Sequence, residues 1–186
     1  MKTLTSLITI LFISLLSSPS WSETIDDLVE RNSLYYKKFT NVPFTGQVSG
    51  EENGSFLNGK KSGEWLSYYE NGQLEFKGNY NYGKREGLWQ WYNDEGQLHY
   101  KGNWKNGEQD GLWEDYLNGQ LWNKGNYKQD ERDGLWMTYY DNGQLLSEGL
   151  YKNGKQNGKF KNYFKNGKVR WIGNFYQGNI HGLWEQ

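Results

Sequence analysis

A Gly-x-aromatic triplet returns along the chain at Gly63, Gly87, Gly111, Gly134, Gly158 and Gly182, every 24 residues except for one step of 23. A period of this size marks a supersecondary unit that cannot bury its apolar face alone and stacks on copies of itself. The spacing sets five full units and a C-terminal stub.

Within each unit the same roles recur. A ring lies two residues after the leading glycine, at Trp65, Trp89, Trp113, Trp136, Phe160 and Trp184, and a tyrosine follows three residues later, at Tyr68, Tyr92, Tyr116, Tyr139 and Tyr163. This reads as a first strand. Asn71-Gly72, Glu95-Gly96, Asn118-Gly119, Asn142-Gly143 and Asn166-Gly167 come next. Asn-Gly suits a two-residue hairpin loop because both residues tolerate positive φ. A second strand then alternates, as in Leu74, Phe76, Gly78 and Tyr80, with the period of two that marks one buried sheet face. Its central glycine weakens the strand but leaves bare backbone on which a neighbouring ring can lie. Gly83 to Gly87, Gly107 to Gly111 and Gly154 to Gly158 are expected to close their units with a second turn. The third unit departs twice, with Asp130 where others have glycine and with one residue missing before Asn118-Gly119. That deletion falls in a loop and is expected to spare the strand register.

Composition agrees with strands. The chain has no alanine, the best helix former, but 24 Gly, 15 Tyr, 10 Trp and 8 Phe, a balance that opposes helix and favours an all-β fold. Residues 1–22 read as a secretory signal peptide, with Lys2 ahead of an apolar stretch from Leu4 to Leu16 and a small-x-small site at Ser20-Trp21-Ser22. That stretch is short for a membrane-spanning helix. The protein is therefore expected to be exported, to the periplasm or the medium, yet it has no cysteine and must be held by packing and hydrogen bonds alone. Residues 23–43 form a capping segment, in which Leu28–Lys38 can add a hairpin that closes the open edge of the array, and a helix over Ile25–Arg31 is the competing reading. Phe44–Lys61 matches a degenerate leading unit, so the repeat array spans residues 44–186.

The unit, shown best by Gly134-Leu135-Trp136, Tyr139-Tyr140-Asp141-Asn142-Gly143-Gln144-Leu145, Gly149 and Tyr151, resembles the MORN repeat, in the second bacterial variant found in YwqK-like antitoxins of toxin–antitoxin systems. The resemblance covers about residues 44–186. It implies an elongated, twisted, single-layer antiparallel sheet of tandem β-hairpins. For function it implies a spacer, a protein-binding surface or a lipid-binding surface.

Catalytic constellations are not legible. The two histidines, His99 and His181, stand far apart in the array, and no nucleophile elbow or phosphate loop occurs. Glu114-Asp115 and Asp130-Glu131 are adjacent carboxylates, which on a strand point to opposite faces. No cofactor or metal is expected, and the chain reads as a non-catalytic interaction or scaffold module, antitoxin-like in the family's sense, whose partner is another protein. A near-balanced net charge of −1 argues against nucleic acid as a partner. Charge is nevertheless uneven along the array. Lys152, Lys155, Lys159, Lys161, Lys165, Lys168 and Arg170 occur without an intervening acid, a candidate patch for an anionic partner such as lipid head groups. The alternative ligand is an envelope carbohydrate, because flat rings in a row suit sugar faces. Trp91 and Trp122 lie off the repeated ring positions, and their exposure bears on that alternative.

Overall fold

The computed structural model describes residues 23–182 and 185. The signal-peptide reading of residues 1–22 and the stub ring Trp184 lie outside the described residues. Among these, a 3-10 turn at Ile25–Asp27 precedes a small hairpin of β1 (Leu28–Arg31) and β2 (Leu34–Lys37). The rest form one antiparallel sheet of 13 strands whose spatial order is the chain order. These are β3 (Gly46–Val48), β4 (Glu52–Leu57), β5 (Lys60–Tyr68), β6 (Leu74–Asn81), β7 (Lys84–Tyr92), β8 (Leu98–Lys105), β9 (Glu108–Leu117), β10 (Gln120–Lys128), β11 (Glu131–Tyr139), β12 (Leu145–Lys152), β13 (Lys155–Tyr163), β14 (Val169–Tyr176) and β15 (Asn179–Ile180). The protein is an elongated open sheet in which each hairpin touches its neighbours in sequence.

What holds one hairpin to the next is a ring seated on a glycine. Trp65, Trp89, Trp113, Trp136 and Phe160 are all buried, and each lies over the central glycine of the preceding unit: Gly54, Gly78, Gly102, Gly125 and Gly149. Each indole also donates its Nε1 proton to a carbonyl of the preceding strand, at Ser55, Asn79, Asn103 and Asn126, over 3.0–3.2 Å. Between these rings stand Tyr80, Trp104, Tyr127, Tyr151 and Phe175, which meet them mostly edge to face, as in Tyr127 against Trp136 at 5.1 Å and 84°. Edge-to-face pairs contribute about 0.5–1.5 kcal/mol each beyond area burial. A thin sheet thereby gains a continuous spine.

The backbone makes room for that seat by slipping register. Lys77 pairs with Gln90 and Asn79 with Glu86, so β6 advances two residues while β7 advances four. Gly87 sits in the slip with φ of 71°, a conformation that side chains resist. The slip aims Trp89 across Gly78.

Both turns differ from the sequence expectation. Tyr69–Gln73 forms a three-residue loop: Gly72 N donates to Tyr69 O, Tyr69 N to Gln73 O, and only Gly72 has positive φ. The Asn71 Oδ1 instead accepts from Gln73 N at 2.9 Å. This is a type I turn followed by a left-handed glycine rather than a two-residue Asn-Gly turn. The two-residue form occurs where the third unit lost a residue: Asn118 and Gly119 have φ of 50° and 74°, and Gln120 pairs with Leu117. The ladder beyond it is unshifted, since Trp113 faces Gly125 as Trp65 faces Gly78. The second turn is tighter than expected. Tyr82-Gly83 alone reverses the chain, both at positive φ, and Lys84 to Gly87 already belong to β7.

At the N-terminal end the helix weighed for Ile25–Arg31 does not form, because Leu28 enters a core with Val48, Phe56 and Trp65 as part of β1. The β1–β2 hairpin is not an added edge strand. It folds over Phe56, the ring next to Trp65, with Tyr35 of β2 at 4.8 Å, and Phe44 beyond the hairpin meets the same ring at 5.7 Å. Burial beside Glu30 pushes the Tyr35 phenol up to about 12. The outer edge, β3, is met by Glu23, whose carbonyl accepts from Ser49 N at 2.9 Å.

Candidate functional site

The two faces of the sheet present different chemistry. One carries the ring spine. On the other, Leu88, Leu112, Leu135 and Leu150 project into solvent at 41–48% exposure. They occupy one register row, in which Leu88 pairs with Asn103, Leu112 with Asn126 and Leu135 with Leu150. Glu64 extends the row at one end and Lys159 at the other, each exposed. Leucine alternates with asparagine along the row, and at Leu135 and Leu150 two leucines meet directly.

The seven basic residues singled out in the sequence do not meet on one surface. Lys152 and Lys155 pair at the edge bearing Tyr82-Gly83 and its equivalents, whereas Lys165, Lys168 and Arg170 lie at the opposite edge, a strand length or roughly 30 Å away. Lys159 lies exposed in the leucine row. Two are in ion pairs, Lys161 with Glu148 at 3.1 Å and Lys165 with Asp141 at 2.7 Å, and Arg170 lies over Phe164 at 5.7 Å. A hydrogen bond from Tyr163 and the pairing with Lys161 outweigh burial and hold Glu148 below the usual carboxylate range.

The ring face holds a cleft that sequence reasoning did not assemble. It has a volume of about 410 Å³ and is lined by Arg85 and Trp91 of β7, Tyr100 and Trp104 of β8, Gln109, Trp113 and Asp115 of β9, and Tyr127 of β10. Two columns of the repeat break here. Two residues after the ladder ring stand Ser67, Trp91, Asp115, Thr138 and Asn162, so the second unit alone places a large ring there. Opposite it Tyr100 stacks on Trp91 at 4.6 Å and 24°. Four residues before the ladder ring stand Lys61, Arg85, Gln109, Arg132 and Gln156. In three units this is a cation over the indole: Lys61 lies 3.9 Å from Trp65, Arg85 4.8 Å from Trp89 and Arg132 4.2 Å from Trp136. Gln109 leaves Trp113 without one. The signal lay in these columns, but only the pairing of β7 to β10 brings them together.

Electrostatically the cleft is split. Arg85 also lies over Trp91 and Trp104, at 5.3 and 4.8 Å. Asp115 faces it from β9; burial raises its carboxyl, against a 3.3 Å hydrogen bond from Asn123 and the charges of Arg132 and His99. The neighbouring Glu114 projects to the leucine face and pairs with Lys101 at 2.7 Å, so the adjacent carboxylates share no site. His99 and His181 are exposed. Trp122 is 49% exposed, at the loop edge rather than in the cleft.

Fold and surface together define an open tandem-hairpin protein whose features lie along its faces. Residues 61–82, 85–106, 132–153 and 156–175 each match the sequence profile of a MORN repeat variant. These four stretches are MORN-type repeats. The stretch between the second and third matches holds the shortened Asn118-Gly119 loop and Asp130. No curated protein is similar enough to count as a match. Among solved structures, one titled "Crystal structure of GtfA/B complex bound to UDP and GlcNAc" is similar at 13% identity with a TM-score of 0.26, over 74% of this chain and 25% of that one. This chain thus spans about a quarter of that chain's length, and the likeness is too loose to bear on fold or ligand.

Proposed function

We propose that the protein is an exported, non-catalytic interaction module that docks another protein along its leucine face. The observation that carries this reading is the row of Leu88, Leu112, Leu135 and Leu150, solvent-exposed at one register across three hairpins. Its rigidity follows from the spine beneath it, so a partner meets a preformed surface and little ordering cost. MORN repeats in general act as protein or lipid interaction modules, which agrees with a sheet used as a surface. The antitoxin-like form of this reading takes the partner to be an exported toxin.

Affinity capture from cell-envelope extract, read by mass spectrometry, tests it. The parent protein should enrich a defined partner, and a double variant, Leu112→Asp with Leu135→Asp, should lose it while melting as the parent does. Recovery of the same proteins by parent and variant defeats the proposal. For the toxin form, co-export of the protein should rescue growth of cells intoxicated by the captured partner.

A further inference from the structure

We propose that the ring-face cleft above Trp113 binds an uncharged saccharide, a mono- or disaccharide unit whose pyranose ring lies against Trp91, Tyr100 and Trp104 while its hydroxyls reach Asp115, Gln109 and Arg85. The cleft is on the face opposite the leucine row, so this inference does not depend on protein docking there.

The repeat explains what the cleft is not. The spine needs Trp89, Trp104 and Trp113, and every unit supplies their equivalents. Trp91 has no counterpart, since other units place Ser67, Asp115, Thr138 or Asn162 there, and although two units hold Phe76 or Trp171 at the second position, Asn123 and Ser147 show that the spine stands without Trp91 and Tyr100. These two rings stack on one another and lie nearly parallel to Trp113, at interplanar angles of 28° and 18°, where the spine otherwise runs edge to face. Stacked in this way the rings cover one another's faces and line the cleft with their edges. The cation that covers three of the other ladder indoles is replaced here by Gln109, a neutral side chain with both donors and an acceptor. The same substitution leaves Trp113 without a cation, though still buried, and adds an amide to the rim.

Charge selects the ligand class. Arg85 and Asp115 both line the cleft, so an anion meets a carboxylate and a cation meets a guanidinium. A neutral polyol uses both, because hydroxyls donate to Asp115 and accept from Arg85. A pyranose also has an apolar C–H face that packs on ring edges. The Trp104 Nε1 is buried with no hydrogen-bond partner, whereas the ladder indoles Trp65, Trp89, Trp113 and Trp136 each have a carbonyl.

Titration of the purified protein with cellobiose, maltose and diacetylchitobiose, followed by tryptophan fluorescence and by indole NMR signals, tests the assignment. At least one of these neutral disaccharides should bind with a millimolar or lower Kd, and choline and glucuronate should not. Asp115→Asn should weaken binding about tenfold or more, the worth of a hydrogen bond to a charged group. Gln109→Arg should place a guanidinium over Trp113 as Arg132 lies over Trp136, and so abolish binding without lowering the melting temperature. Trp122→Ala, outside the cleft, should bind as the parent does. The assignment is overturned if none of the three sugars binds, if choline or glucuronate binds instead, or if Gln109→Arg binds sugar as well as the parent.

Discussion

The indole of Trp89 lies so close on Gly78 that a Cβ added to the glycine would stand 2.1 Å from Trp89 Cδ2. Real side chains do not approach that closely, so the single hydrogen of Gly78 is what allows β6 and β7 to share a buried ring. Gly78→Ala should therefore force ring and backbone apart at a cost of about 1–3 kcal/mol, in the range of core overpacking. Thermal melting of the variant checks this, and an unchanged midpoint would show that the seat is loose.

Removing the ring acts from the other side of the same contact. Trp113 is buried in the middle unit, with neighbours on both sides to be left unsupported. Trp113→Ala should destabilise the array by about 3–5 kcal/mol, as for other buried Trp truncations. Trp122→Ala, at a half-exposed position, should cost well under half as much. Chemical denaturation of the two variants side by side distinguishes a spine ring from a surface ring.

Two carboxylates on opposite faces should respond to pH with opposite sign. Asp115 is raised by burial, so its ionised form is disfavoured in the folded state, and the folded protein gains stability as pH falls toward the ordinary Asp range near 3.9. Asp115→Asn should accordingly melt at or above the parent at neutral pH, with the advantage fading on acidification. Glu148 is lowered by Tyr163 and Lys161, so its contribution is present above the unfolded value near 4.5 and is lost as pH falls through the folded value. Glu148→Gln should melt below the parent at neutral pH and converge with it in acid. Melting curves across that range for both variants decide the signs.

The third unit's loop offers a test of what the deletion does. Inserting one residue between Leu117 and Asn118 should rebuild the three-residue loop of the other units and leave the pairing of Trp113 with Gly125 intact, because lengthening a loop by one residue costs little closure entropy. Hydrogen exchange at the β9 and β10 amides should be nearly unchanged. Lost protection through Gly125 would mean that the short loop sets the register.

The repeat period, the all-β class and the ring-on-glycine contact were all legible in the sequence, since each rests on residue identities at fixed offsets. Turn geometry was not. Asn71-Gly72 and Asn118-Gly119 share the same dipeptide, yet the first closes a three-residue loop and the second a two-residue one, because the pairing partner, Gln73 or Leu117, decides the loop length. Tyr82 holds positive φ with nothing in its side chain to announce it; the reversal is imposed by Gly83 and by the strands on either side. The basic run was legible as composition but not as a surface, since a strand carries Lys155 and Lys165 to opposite edges. The cleft required setting Trp91, Tyr100, Gln109 and Asp115 side by side, and offsets within one unit cannot do that.

The seat of each ring on the glycine before it also gives the array a mechanical direction. Tension applied between the chain ends loads the sheet across its hydrogen-bonded pairs, and each hairpin can yield only when its ring leaves its glycine. Extension should proceed in steps of one unit, each releasing roughly 80 Å of chain for 24 residues, so that the molecule behaves as a zipper of equal teeth.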